Sequence, residues 1–486
     1  MSASFATSIK RFAASPAGLI VLGTLIRIPQ LWHGLNEMHS FRQTQTAFVA
    51  LEYARHGIDL MHTPLPVFGP HSDVPMDFPL VQAMAAVMIR LGAGAASAER
   101  AIGLLGFQVT AILLAVLVSR WHGRCAMLVV LALFEFSPFA LAWGASALIE
   151  FPALALTLGM VVGLDSWFRN GSLLGLLCGL PAGWLAFLVK ATTPPAWCVL
   201  VVISAATAFV TTRSWMRSVV GLLPAGIGGL AAAFGWARYG DAIKERNPLT
   251  VFLVSRYMNA WNFGTIKQRL DPLAYGNASA RIAVEIAGPV GFGIVLAVCG
   301  IMLAPKGIER VRRAGWLVTA VVAPLIFFNL YYVHSYYLIA IFPALVAAVG
   351  LGIVAVAQRS RADTARRAVI LTAIVAVGTA VPYNVLQWLV PPQPDAGGRR
   401  IQAATRPDDL IVVVGCDWNP LTLFDADRRG LMLTNYANVD VWTRENINDY
   451  HYIYSCDQNL KVTDYLPRDH TVKPTSEPGL WQIAPR

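Results

Sequence analysis

The chain has 486 residues, of which 56% are hydrophobic and 14% charged. An ordinary soluble domain carries about 25% charged residues, so a chain this poor in charge cannot clothe a soluble surface, and a polytopic membrane protein is the expectation. The net charge of +10 does not argue for a nucleic-acid partner, because the basic residues sit in short clusters between apolar runs, the pattern that sets membrane topology.

A membrane span needs about 20 apolar residues. The N-terminus opens on Lys10 and Arg11 and runs into an apolar stretch from Pro16 to Trp32. No small-residue cleavage site follows, so the stretch reads as an uncleaved signal anchor. With this first span near 14–32, candidates fall near 99–119, 125–143, 150–168, 172–189, 195–212, 218–237, 283–304, 315–333, 337–357 and 368–390. Phe78–Leu91 is shorter, has Pro79 at its start and contains Arg90. If it does not cross, the clusters at Lys10/Arg11, Arg120/Arg124, Arg169, Arg213/Arg217, Lys306–Arg313 and Arg359–Arg367 all fall on the cytoplasmic side, as the positive-inside rule demands. If it crosses, nearly all of them flip.

The non-crossing topology gives eleven spans, a cytoplasmic N-terminus and a tail outside. The expected fold is a polytopic α-helical membrane domain over residues 1–390, with outer loops 33–98 and 238–282, followed by a small α/β domain over 391–486. In the first loop Thr44–His56 reads as an amphipathic helix. In the tail Leu410–Val414 and Tyr450–Tyr454 read as strands, with a helix around Asn419–Asp427. Cys125, Cys178, Cys198 and Cys299 lie in apolar segments and read as small core residues. No C-x-x-C or Cys/His spacing suits zinc.

Polar residues at span ends and in long loops are the places to look for chemistry. The first loop is densest, from Asn36, Glu37 and His39 through Arg42, Gln43, Gln45 and Thr46, although a solvated, capped helix would look similar. His71 and Asp73 lead to Asp77, which meets the membrane just ahead of Pro79. Glu150 opens a span, where the helix dipole alone would favour an acid. Lys190 closes one, where a lysine can simply snorkel. His334, Tyr336 and Tyr337 lie between two spans, where an aromatic belt is the plain alternative. Arg256, Arg269 and Arg281 punctuate the second outer loop. Acids and cations at one membrane face suit a reaction on a lipid-linked anionic group: a carboxylate accepts a proton from an incoming hydroxyl, and Arg or Lys holds a phosphate. No Walker A motif, dinucleotide fingerprint, nucleophile elbow or HExxH helix occurs.

The run His39-Ser40-Phe41-Arg42-Gln43-Thr44-Gln45-Thr46-Ala47 resembles the H-S-W-R-Q-x-D/Q-T-A signature of bacterial membrane glycosyltransferases related to protein O-mannosyltransferases and to the aminoarabinose transferase that modifies lipid A. Further similarities follow in order: Asp77-Phe78-Pro79, Ser137-Pro138 with Glu150, Leu188-Val189-Lys190, His334-Ser335-Tyr336-Tyr337 with Pro343, Trp418-Asn419-Pro420, and Asp427-Arg428-Arg429-Gly430. The resemblance spans residues 30–435 and implies a GT-C fold that transfers a sugar from a polyprenyl-phosphate carrier to a lipid, glycan or protein acceptor, with inversion, at the periplasmic face of a bacterial inner membrane. It implies Asp77 or Glu150 as the acid, while Glu37, more than one helical turn upstream of the first-loop pair, is a candidate substitute. It implies Arg42, Gln43, Gln45, Lys190, His334, Tyr336 and Tyr337 around the donor, and Arg256 and Arg269 join them as cations near the outer face in a chain whose other basic residues are mostly cytoplasmic. The chain departs from the relatives where they carry an Asp-Glu pair in the first-loop helix; here Arg42-Gln43 stands in that place.

A divalent metal on Asp77 with His71 or His334 is a further expectation from their donor types. A transporter or flippase of lipid-linked sugars is the competing class, although such proteins more often show internal repeats and midplane charges. An O-antigen ligase-like enzyme with a diphosphate donor is the third reading. Finally, Cys416 follows the first tail strand and Cys456 the second. If those strands are parallel neighbours, their ends lie about 5 Å apart, within disulfide range, and an oxidising periplasm would let the bond persist.

Overall fold

The protein is described by a computed structural model covering residues 15–287, 291–359, 390–433 and 441–486, together with 367, 368 and 370–372. It divides into two compact units: a helical unit of Met1–Leu31, Arg100–Trp236 and Asn259–Val390, and an α/β unit of Trp32–Glu99, Ala237–Met258 and Pro391–Arg486. The first loop and part of the second therefore fold with the tail.

Among the described residues, four helices are long and apolar enough to cross a membrane: Ala95–His122, Glu150–Asn170, Pro194–Thr212 and Trp215–Lys244. Shorter apolar helices include Pro16–Arg27, Leu173–Val189, Phe292–Met302 and Phe342–Gln358. Several expected spans are not single helices among the described residues. The 125–143 stretch breaks into Arg124–Phe136 and Pro138–Trp143, because Pro138 has no N–H to continue a helix and Ser137 caps the next one through Ala140 N (3.4 Å). The 315–333 stretch runs as Ile308–Ile326 and Phe328–Val333, with Pro324 weakening the turn before the break. The 337–357 stretch begins as a 3₁₀ turn, Ser335–Ala340. The 283–304 stretch holds the end of one helix, Pro272–Glu285, and all of Phe292–Met302, with residues 288–290 outside the described set. Most of 368–390 also lies outside it.

Helices Glu150–Asn170 and Leu173–Val189 meet through glycines: a Cβ on Gly163 would sit 2.6 Å from the Gly175 carbonyl oxygen. Small residues allow this backbone approach, which is how helices gain dispersion contact in lipid. The helical unit also contains a buried ion pair that the sequence reading passed over. Arg27 lies 3.3 Å from Glu135, both side chains fully buried, and it also donates to the carbonyls of Gly23, Glu135 and Ala140.

In the α/β unit five strands, β1 (Leu410–Val414), β2 (Gly430–Leu433), β3 (Tyr450–Ser455), β4 (His470–Pro474) and β5 (Leu480–Pro485), form one sheet of order β2-β1-β3-β5-β4. β1 is parallel to β2 and β3, whereas β5 is antiparallel to β3 and β4. The register pairs Val414 with Ser455, so Cys416 and Cys456 emerge from adjacent strand ends and are joined as a disulfide with Cα atoms 5.5 Å apart. The sequence reading omitted β2, β4, β5 and the helix Ala396–Ala404. The outer edge of β2 is covered by the first loop: Gly430 N donates to Pro66 O and Met432 N to Val67 O, which removes an exposed edge. Phe48, Val67, Phe68, Ile411, Val413 and Met432 share the resulting core.

Candidate functional site

Within the α/β unit, the first-loop helix forms over Ser40–His56 and ends at Gly57, whose φ of 114° suits a residue without Cβ. Its spacing puts Arg42, Gln45, Thr46 and Val49 on one face. Arg42 extends its fork in two directions. Nη1 donates to Gln45 Oε1 (2.8 Å), and Nη2 donates to the carboxylate of Asp77. The Gln45 amide nitrogen meets the Met76 sulfur at 3.5 Å, and sulfur is a weak acceptor. Arg42, Gln45, Thr63, Met76, Asp77 and Gln82 line a small recess with room for about one water-sized group. Gln82 stands on the helix Leu80–Arg90, just after Pro79.

The same helix holds a second acid. Gln43, fully buried, donates to Glu37 Oε1 (2.8 Å) and to Met38 O (3.1 Å), so it tethers the carboxylate to the loop. Lys244, absent from the sequence reading, is buried at the end of its helix, 3.1 Å from Asp241. It donates to Leu253 O at 2.8 Å. An acid and a lysine three residues apart at the end of an apolar helix were the available signal. Arg256 is exposed, pairs with Glu245 (3.0 Å) and lies over the Tyr257 ring.

Among the described residues no group of three or more His, Cys, Asp or Glu side chains could hold an ion. Asp77 faces the Arg42 guanidinium, a charge that repels a dication, and His71 is exposed.

In the helical unit Glu150 and Lys190 come together at 3.0 Å, 1% and 6% exposed, and the Lys190 ammonium lies 5.3 Å from the Tyr337 ring centroid. His334 stacks on Tyr336 (5.4 Å), and Trp261 lies 5.6 Å from the same imidazole. Burial, with the Arg281 charge adding to it, pushes the His334 pKa down to about 4, which keeps the ring neutral at neutral pH. Beside it Glu285 accepts from Ser335 Oγ (2.8 Å) and lies 3.7 Å from Arg281 Nε. Arg269 is committed elsewhere: it donates to the carbonyls of Phe263 (2.6 Å), Leu325 (3.1 Å) and Ile326 (2.6 Å). Those bonds make it a fastener of backbone.

No family model matches the chain, and no curated protein matches it by sequence. Solved structures do match by fold. ArnT from Cupriavidus metallidurans, solved bound to undecaprenyl phosphate, superposes with a TM-score of 0.64 at 12% identity, covering 96% of this chain and 97% of that one. Its apo form gives 0.63 at 14% identity, covering 96% of each chain. The oligosaccharyltransferase AglB from Archaeoglobus fulgidus, in complex with an inhibitory peptide and a dolichol-phosphate, gives 0.50 at 12% identity over 90% of this chain and 69% of that one. The chain is thus a polytopic membrane protein with the GT-C fold of these structures and a small C-terminal α/β region.

Proposed function

We propose that this protein is a glycosyltransferase that moves a sugar from a polyprenyl-phosphate-linked donor to a hydroxyl of a lipid, glycan or protein acceptor. The observation that carries the reading is the Arg42–Asp77 pair beside a polar recess in a chain of this fold. The lipid phosphate comes from the fold likeness, since the similar ArnT structure holds undecaprenyl phosphate.

Arg42 presents a planar fork, the geometry that binds a phosphate bidentately. A donor phosphate competes with Asp77 for that fork, and the carboxylate released from it becomes an acceptor for the proton of the incoming hydroxyl. In a single displacement the acceptor oxygen bonds to the anomeric carbon as the bond to the phosphate oxygen breaks. The configuration inverts, Asp77 takes the proton and polyprenyl phosphate leaves with the electron pair. Gln45 holds the guanidinium in register through its Oε1. Glu37, tethered by Gln43, is the alternative base. The Cys416–Cys456 disulfide supports a periplasmic α/β unit, because disulfides persist in oxidising compartments, and with it an inner-membrane location and a cytoplasmic N-terminus.

The test uses the purified full chain with undecaprenyl phosphate carrying a radiolabelled sugar. Label arriving on an acceptor is expected. Movement of the labelled lipid between leaflets without transfer replaces the enzyme with a flippase, and activity only with a diphosphate-linked donor points to a ligase-like enzyme.

A further inference from the structure

The recess beside Arg42 and Asp77 contains a polar group that the transfer chemistry above does not use. Gln82 is 6% exposed, and its Oε1 is buried with no hydrogen-bond partner among the described residues. A buried polar atom left unpaired is costly, so an orphan amide oxygen on a residue that lines a recess marks a place that a ligand completes. Across the recess the Gln45 amide nitrogen meets the Met76 sulfur, a weak acceptor that a better one displaces. Thr63, 5% exposed, adds a hydroxyl, and Met76 makes the wall partly apolar.

We infer that this recess reads one hydroxyl-bearing arm of an uncharged donor sugar, through the Gln82 and Gln45 amides. This rests on the glycosyl-transfer reading and extends it to a substrate class. The recess has room for about one water-sized group, so it admits a single hydroxyl of the arm while the ring itself stays outside. A hydroxyl both donates and accepts, so it satisfies the Gln82 amide in either orientation. Among the described residues Arg42 is the one cation lining the recess, and in the transfer reading the donor phosphate takes it, so no second cation is left there for a carboxylate or phosphate on the sugar arm. Sites built to bond a substrate hydroxyl reject the analogue that lacks it strongly, because the buried partner is then left unpaired.

The test takes the full chain in detergent with undecaprenyl phosphate carrying a neutral hexose and each of its mono-deoxy analogues. Binding is measured by titration calorimetry and transfer by label, in parallel. One deoxy position should lower affinity and kcat/KM at least tenfold in the wild type. Gln82→Met, close in volume and equally suited to a helix, should erase that contrast by weakening the parent donor, while its thermal unfolding midpoint stays within a degree or two of wild type. Gln82→Asn, with a shortened amide, should restore part of the contrast. Binding with the contrast but no transfer keeps the subsite and removes the transferase. Transfer with no contrast at any position, or a contrast that survives Gln82→Met, removes the subsite and keeps the transferase. No binding and no transfer removes both.

Discussion

Arg42–Asp77 in the α/β unit and Lys190–Glu150 in the helical unit join a cation to a carboxylate in very different surroundings. The first pair is 14% and 22% exposed, formed by a planar guanidinium, and borders a recess. The second is 6% and 1% exposed, and an aromatic ring lies over its ammonium. A pair in contact with solvent can exchange a partner for a ligand at modest cost, since its ions are never fully desolvated. A sealed pair cannot, because each ion left alone in the interior faces a penalty of several kcal/mol. Identical charge chemistry therefore points to function in one unit and to cohesion in the other, and burial makes the distinction.

The largest expected effect tests the first half of that contrast. Asp77→Asn should reduce transfer by about 10²–10⁴-fold, the range for a lost general base, with little change in the thermal unfolding midpoint. If Asp77→Asn keeps near-wild-type turnover while Glu37→Gln abolishes it, the base moves to Glu37 and the pair at Arg42 becomes a positioning contact.

Glu150→Gln should do the reverse. It strands the Lys190 ammonium, at a cost of about 3–5 kcal/mol for breaking a buried pair, so the unfolding midpoint in detergent should drop sharply. The double variant Glu150→Gln with Lys190→Met should recover much of the loss, because no buried charge remains. A Glu150→Gln protein that melts like wild type but transfers nothing would show that Glu150 belongs to the chemistry after all.

Arg42→Lys sharpens the comparison at the other end. Lysine keeps the charge and loses the fork that reaches Gln45 and Asp77 together. Donor affinity should fall about tenfold, equivalent to about 1.4 kcal/mol, measured as KM for the lipid-phosphate sugar. An unchanged KM would mean that the fork does not hold the phosphate.

How much of this was legible beforehand depends on the kind of signal. The membrane class, the first-loop helix, β1 and β3 followed from composition and local periodicity, which act within a few residues. Breaks at Pro138 and Phe327 were harder to see, because an apolar run looks continuous whether or not its backbone is. β2, β4 and β5 are strands of only four to six residues without clear alternation, and β2 is stabilised by pairing with the distant segment Pro66–Val67. At the site, Arg42, Glu37 and Asp77 stood out as charges in a loop, yet which acid meets which cation required the fold. Arg269 shows the limit most clearly: as a loop cation it resembled a phosphate ligand, and its three carbonyl acceptors are invisible in a sequence. Gln82 and Lys244 sat at the ends of apolar runs, where a polar residue reads as an ordinary boundary.

A third carboxylate extends the comparison with the smallest effect. Glu52 lies in the first-loop helix ten residues after Arg42, 3% exposed. One oxygen is 3.9 Å from Arg55 Nη1 and the other 3.6 Å from His56 Nε2. Burial raises its pKa above the ordinary value of 4.5, and the neighbouring charges of His56, Arg429 and Arg55 only partly oppose that. A carboxyl raised on folding favours the folded state while protonated. Its contribution is fully present below the unfolded value of 4.5 and is lost as pH rises through the higher folded value. At pH 7.5 the buried charge is therefore a small burden, unlike the charge on Glu150, which Lys190 meets directly. Glu52→Gln should raise the unfolding midpoint slightly at pH 7.5, and the gain should shrink as pH falls through the raised folded value and vanish well below the unfolded value of 4.5, where the carboxyl is protonated in both states. Melting curves across that range decide the matter: a variant that loses stability at pH 7.5 would mean that the ion pairs to Arg55 and His56 outweigh burial, placing Glu52 with the cohesive pairs of the helical unit.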